Sequence, residues 1–505
     1  MIKLIYRIES DYMSKKRMLI VTSVTLSVVT ISLGIVKLYQ TYALSNYIGT
    51  VTDTGIDVYI NDDSYASIPA NGSSNVYYML TNTNPGTVKY GVAYQTTSGV
   101  TVKVYDTSED PATGTIEEND KKYIKLHLEN KNSTNKTIEL STVLGYENGG
   151  DLVVPSGVTL VTDTYTPPPT AAEYITKLYT TASKTTVTNN SITYNTAPSV
   201  SLMNDRLGGT TTDLDGGNIR YYGASPNNYI YFNCSDYSNQ TSSTCETWRI
   251  IGVFDGKLKL IRGSQIGTYS WDNKDTSTGA ESNFGKNDWT TARLMKLLNP
   301  SDYYTTDSND NNLGQGLYYN SASGKCYSGQ NNATVDCNFT STGIKNDITR
   351  NMIAETTYNL GGWNSNTVYP NLMYEKERGT TVYTGRPTTP WTGKIALAYT
   401  SDYGYAADLN QCKDKTLYDY DNRTCTSNNW MKAIITNNGS NTGWLLTPSS
   451  GYSNNAWIVF SGGFVSRDSI AYVAYGAVPV LSLSSELGIE SGGDGSSSNP
   501  YKLSA

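Results

Sequence analysis

Tryptophan, tyrosine, amide and carboxylate side chains stand next to one another at several points in the second half of this chain. Trp271-Asp272-Asn273, Trp391, and Asp402-Tyr403 with Tyr405 are the clearest cases. Indole and phenol rings stack on sugar faces or anchor a protein partner at low entropic cost, and neighbouring amides and carboxylates supply directional hydrogen bonds. These seven residues are therefore the candidate ligand contacts. Carboxylates alone suffice for glycoside hydrolysis, which needs two of them across a cleft. Glu246, Asp272, Asp288, Asp402 and Asp408 are available for it.

Other chemistries lack their parts. The chain has one histidine, His127, placed far from the tryptophan-rich half, so Ser-His-Asp and Cys-His arrangements have no imidazole to use. A surface-facing strand position accounts for it. No HExxH, phosphate-loop or dinucleotide fingerprint occurs. Asp307–Asn312 (DSNDNN) begins like a calcium loop, but it lacks glycine at the sixth position and has Tyr318 at the twelfth. It reads as a polar loop, and no metal or cofactor is expected. A net charge of −7 without a basic run outside the N-terminal segment disfavours nucleic acid.

All six cysteines follow residue 230, in the close pairs Cys234/Cys245, Cys326/Cys337 and Cys412/Cys425. Six cysteines allow 15 connectivities. Local pairing is favoured, because each pair brackets a loop rich in Gly, Asn, Ser and Asp. Metal binding would want CxxC spacing with histidine partners. Disulfides place the protein in an oxidising exterior.

Several elements must carry these residues. Met18–Val36 has no charge and would span ~28 Å as a helix, about one hydrocarbon thickness. Lys15, Lys16 and Arg17 precede it. The expectation is a single-pass anchor over 18–38, with residues 1–17 cytoplasmic and the bulk outside. A cleaved signal peptide ending near Ala43-Leu44-Ser45 is the alternative, and Met13 is a plausible start.

Residues 45–163 alternate apolar and polar positions in six or more short runs, among them Asn75–Thr83, Val88–Thr97 and Lys121–Asn130. That pattern predicts an all-β immunoglobulin-like sandwich. Pro167-Pro168-Pro169 and the helically spaced Thr170–Ser183 form a linker over 164–190.

Residues 191–505 hold all eight tryptophans and all the cysteines. Trp248–Phe254, Asp255-Gly256 and Lys257–Arg262 predict a hairpin with a type I′ turn. Asn287–Pro300 predicts a helix capped by Asp288, and Gly343–Leu360 a second one. Among short strands such as Lys394–Tyr399 and Gly443–Thr447, these helices predict an α+β head domain.

The runs Trp248–Asn273, Asn287–Pro300, Gly385–Ala406, Gly443–Ser450 and Gly492–Leu503 resemble a module of uncharacterised membrane-anchored surface proteins of gut Gram-positive bacteria. That module is similar in outline to C-type-lectin-like and formylglycine-generating-enzyme-like domains. The resemblance covers roughly Thr170–Ala505 and implies a C-type-lectin-like head. This chain departs from it at Ala477–Leu481 and Gly443–Pro448, where relatives often carry an arginine. The combined expectation is a non-enzymatic surface protein binding a glycan or protein ligand through its head. A pilus-like structural component is the alternative, and a carboxylate-dependent glycosidase is third.

Overall fold

A computed structural model describes residues 47–504, apart from 53–54, 58–64, 83–85, 146–151, 153, 207–216, 274–283, 306–312, 385, 387–389 and 440. The chain forms two compact units, Met1–Pro167 and Pro168–Ala505. The break falls within the proline run, where the rigid φ and missing amide donors of successive prolines prevent either fold from propagating.

In the first unit two sheets enclose one core. One sheet runs Thr164–Tyr165, Val100–Tyr105, Lys121–Asn130, Gly72–Thr81, Tyr47–Thr52 and Gly55–Asp57. The other runs Val158–Leu160, Val88–Gln95, Lys136–Gly145 and Tyr65–Ile68, with Thr113–Ile116 paired to Val88–Gln95. Period-two alternation decides which side chains meet. Val76, Tyr78 and Leu80 point inward from one strand and Ile124, Leu126 and Leu128 from its neighbour. Each such aliphatic side chain contributes about 1.5–3 kcal/mol on burial. The Tyr78 hydroxyl reaches across to Thr142 of the other sheet at 2.8 Å, so the phenol is buried with a partner.

His127 corrects one expectation. It does point to the outer face, as its parity in Lys121–Asn130 requires. However, Thr164–Tyr165 pairs in parallel with Val100–Tyr105 and lays Tyr165 flat on the imidazole, 3.6 Å between ring centres. The ring is consequently buried.

The second unit is built on a nine-stranded sheet. Its order is Thr185–Asn189, Ile192–Ala197, Leu202–Asn204, Ile219–Tyr221, Glu246–Phe254, Lys257–Arg262, Val480–Ser482 and Ile395–Ala396, with Tyr229–Phe232 also paired to Glu246–Phe254. A five-stranded sheet runs Thr268–Ser270, Ala474–Gly476, Gly443–Pro448, Asn455–Val459 and Val465–Ile470. The hairpin is as the sequence predicts: Asp255 and Gly256 have φ of 49° and 71°, the left-handed pair a type I′ turn demands. Gly252 lies at the register shift of this hairpin. A Cβ there would stand 2.1 Å from the Ile219 carbonyl oxygen, so only glycine lets the two strands approach.

The expected fold class is overturned. The structure is 38% strand and 15% helix, and no helix among the described residues is long and apolar enough to cross a membrane. The membrane helix expected over 18–38 lies outside the described residues. The predicted α+β head is strand-dominated instead. Ala171–Thr181 forms as expected, closed by a Thr170/Glu173 capping box, but it belongs to the second unit.

Of the two longer predicted helices, only Arg293–Leu298 and Asp347–Met352 are helical. Asn287 donates from its amide to the carbonyls of Ser449, Tyr452 and Asn455, which pins the entry to the first in extended chain. In the second, the β-branched Thr356-Thr357 joins Tyr358 in a strand paired with Trp391–Gly393.

Candidate functional site

The seven expected contact residues are all buried. Trp271 donates from Nε1 to the Leu445 carbonyl (3.1 Å), and Trp391 to that of Tyr303 (3.3 Å). Asp272 accepts the Lys286 and Arg293 amides, and burial pushes its pKa up to about 6 against those bonds. Asn273 accepts from Arg293 Nε at 3.0 Å. The Tyr403 hydroxyl donates to the Gly463 carbonyl at 2.6 Å, and the Tyr405 ring lies 4.8 Å from the Arg220 guanidinium. Their burial has one physical reason. Thr400–Tyr405 is a single short helix with every side chain interior, and Trp271, Trp289, Trp391 and Tyr358 pack on one another.

Asp402 belongs to a buried charge network. It accepts from Arg220 Nη1 (2.9 Å), Lys259 Nζ and the Tyr399 amide (3.0 Å), while Arg220 Nε donates to Asp205 at 2.5 Å. Burial alone would raise the Asp402 pKa, but Lys259 and Arg220 outweigh it and hold it at about 2. Nearby Glu377 accepts from Ser401 and from Thr447 Oγ1 (2.7 Å), and burial pushes its pKa up. The arginines missing from 443–448 and 477–481 are thus no bar to an arginine-centred interior. Arg220, in the short strand Ile219–Tyr221, supplies one.

A second buried arginine is treated differently. Arg249, on Glu246–Phe254, is 6% exposed and lines an open hollow of about 480 Å³. Its guanidinium lies 3.7 Å from the centre of the Tyr229 ring and 4.9 Å from that of Trp430. Nε donates to Asn228 Oδ1 (2.5 Å) and Nη2 to the Pro226 carbonyl (3.2 Å). Among the described residues no carboxylate pairs with it. Burial therefore lowers its pKa, to about 10, with Tyr229 opposing the shift. Arg220 has two carboxylates, and they overcome the same burial to raise its pKa.

The fold positions each part of this wall. Tyr229 is the cross-strand partner of Arg249. The tail holds Tyr229 in place: the Tyr229 amide donates to the Gly495 carbonyl, and the Tyr501 amide donates to the Tyr229 carbonyl, both at 2.9 Å. Trp430 is fixed through Nε1 to the Tyr221 carbonyl (3.0 Å). Opposite, Glu246 accepts from Arg262 through Nε (3.0 Å) and Nη2 (3.3 Å), a two-point carboxylate grip. Thr247, Ser264, Asn437 and Asn438 add hydroxyl and amide groups, and Ala433 and Ile434 add apolar surface. Asn437 and Asn438 both hold left-handed backbone, with φ of 44° and 58°.

Glu246 is the one carboxylate among the described residues lining the hollow, and Arg262 engages it. The opposed pair that glycoside hydrolysis uses is not assembled there. Of the other carboxylates considered, Asp288 caps a turn through the Thr290 amide (3.1 Å), and Asp408 accepts the Asn410 amide (2.9 Å). Residues 307–312 are outside the described residues.

All three cysteine pairs form the local disulfides expected, Cys234–Cys245, Cys326–Cys337 and Cys412–Cys425. They suggest an extracellular setting. Sequence reasoning missed Arg249, although a signal was present: it is the one cation inside the apolar run Trp248–Phe254. No protein-family model matches the chain, and no curated protein matches it.

Proposed function

We propose that this is an extracellular ligand-binding protein whose second unit takes a saccharide in the Arg249 hollow. The reading is carried by one observation, a buried arginine with no carboxylate partner among the described residues, on the wall of an open cavity. A volume near 480 Å³ lies within the ~300–1,000 Å³ typical of small-ligand sites. Apolar surface from Trp430, Ala433 and Ile434 beside hydroxyls and amides from Thr247, Ser264, Asn437 and Asn438 suits a polyhydroxylated ring. The disulfides support a protein working outside reducing compartments.

Glycan-array binding by the purified full chain tests the reading, with Ala433→Trp as the blocking variant. Ala433 is exposed on the wall, so an indole there fills the hollow without disturbing the core. Discrete glycan binding that falls at least tenfold (about 1.4 kcal/mol) in Ala433→Trp, at unchanged melting temperature, is the expected result. Absence of glycan binding, or binding indifferent to Ala433→Trp, overturns it; signal on matrix proteins alone would make the ligand a protein.

A further inference from the structure

Charge on the wall of the hollow discriminates among saccharides. Three charged side chains line it, Glu246, Arg249 and Arg262. Arg262 and Glu246 neutralise one another at 3.0 Å, and Arg262 Nη1 donates to Ser264 and the Gln265 carbonyl. That leaves Arg249 as a cation in excess. Its hydrogen bonds go to an amide oxygen, a carbonyl and the Tyr229 hydroxyl, none of them a carboxylate, and the Tyr229 and Trp430 rings pack against it. A guanidinium taken out of water with no counter-charge is costly, and an incoming anion in this partly dry setting recovers much of that cost.

We propose that the natural ligand is an acidic saccharide, bearing a carboxylate that pairs with Arg249. This deepens the saccharide reading above and rests on it. One feature selects a carboxylate over a phosphate. With Glu246 and Arg262 paired, Arg249 is the single cation in excess, so the wall compensates a monoanion and leaves the second charge of a phosphate dianion uncompensated. The sugar's hydroxyls then meet Thr247, Ser264 and the Asn437-Asn438 rim.

Calorimetric titration of the full chain tests this with oligogalacturonate, its methyl ester, sialyllactose, lactose and inorganic phosphate. A carboxylated sugar should bind at least tenfold more tightly than its ester or neutral counterpart, and more weakly at 500 mM than at 50 mM salt. Arg249→Met should erase that preference, and Arg249→Lys should keep part of it. The comparison of acid with ester on the native protein needs no variant, so a folding defect in Arg249→Met leaves the test intact. Equal binding of acid and ester overturns the charge assignment and leaves the saccharide site standing. Phosphate binding without sugar binding overturns the saccharide and keeps the anion. No binding of any probe overturns the acidic-sugar assignment, while the array result decides the broader reading separately.

Discussion

Tyr229 and Arg249 stand directly opposite one another in an antiparallel ladder, and the guanidinium lies 3.7 Å from the centre of the phenol ring. The ladder supplies the register and the ring face supplies the electrostatics, so one pairing both buries a cation and aims it along the wall of a cavity.

Removing that ring face should weaken the unit measurably. Tyr229→Leu is expected to cost about 0.5–2 kcal/mol in denaturant unfolding, the range of a largely desolvated cation–π contact. Tyr229→Phe keeps the face and should cost markedly less. Equal losses in the two variants would show that the hydroxyl, not the ring, holds the arginine.

The Asp402 network predicts a larger effect. Asp402→Ala strands Lys259 as a buried cation, leaves Arg220 with Asp205 alone, and should cost about 3–5 kcal/mol. The exposed Tyr452→Ala should stay within about 0.5 kcal/mol. With a folded pKa near 2 against an ordinary 3.8, Asp402 contributes stability that is present above pH 3.8 and lost as pH falls through 2. Acid titration of unfolding free energy should show that loss, and Asp402→Asn should not.

His127 predicts a pH response in the first unit. Burial beneath Tyr165 lowers its pKa below 6.5, with the carboxylate of Glu129 opposing the shift. A depressed pKa means stability that is full above pH 6.5 and declines as pH falls through the folded value. His127→Phe retains a ring under Tyr165 and removes the titration. Its melting temperature should therefore fall less between pH 7.5 and 5 than that of the native protein. Parallel slopes would remove His127 as the source.

Non-reducing peptide mapping should find no free thiol and each cysteine bonded to its near neighbour. Replacing Cys234 and Cys245 together by serine should cost about 2–4 kcal/mol, chiefly by releasing the unfolded chain from its loop constraint. A cross-linked map joining different pairs would refute the local pairing.

Several features were legible in residue order because local physics decides them. Alternation along Gly72–Thr81 and Lys121–Asn130 selects the inward faces of the first unit. Asp255-Gly256 dictates its turn, Thr170 and Glu173 cap their helix, and the spacing of each cysteine pair matches its bridge. Features set by distant partners were not legible. The predicted helices at 287–300 and 343–360 shrank because Asn287 and Thr356–Tyr358 find hydrogen-bond partners far along the chain, which helical periodicity cannot register.

The candidate site divides in the same way. Sequence by itself determined the alternating strands of the first unit and the local pairing of the cysteines, because these follow from side-chain period and loop length. Tertiary structure alone decided which aromatics face inward and which charges are compensated. Trp271 and Tyr403 read as contact residues until the sheets closed over them, and nothing in residue order separates Arg220, which folding gives two carboxylates, from Arg249, which has none among the described residues. Burial and counter-charge belong to the neighbours a residue acquires in space, and those neighbours lie up to 182 positions away along the chain for the Arg220–Asp402 pair.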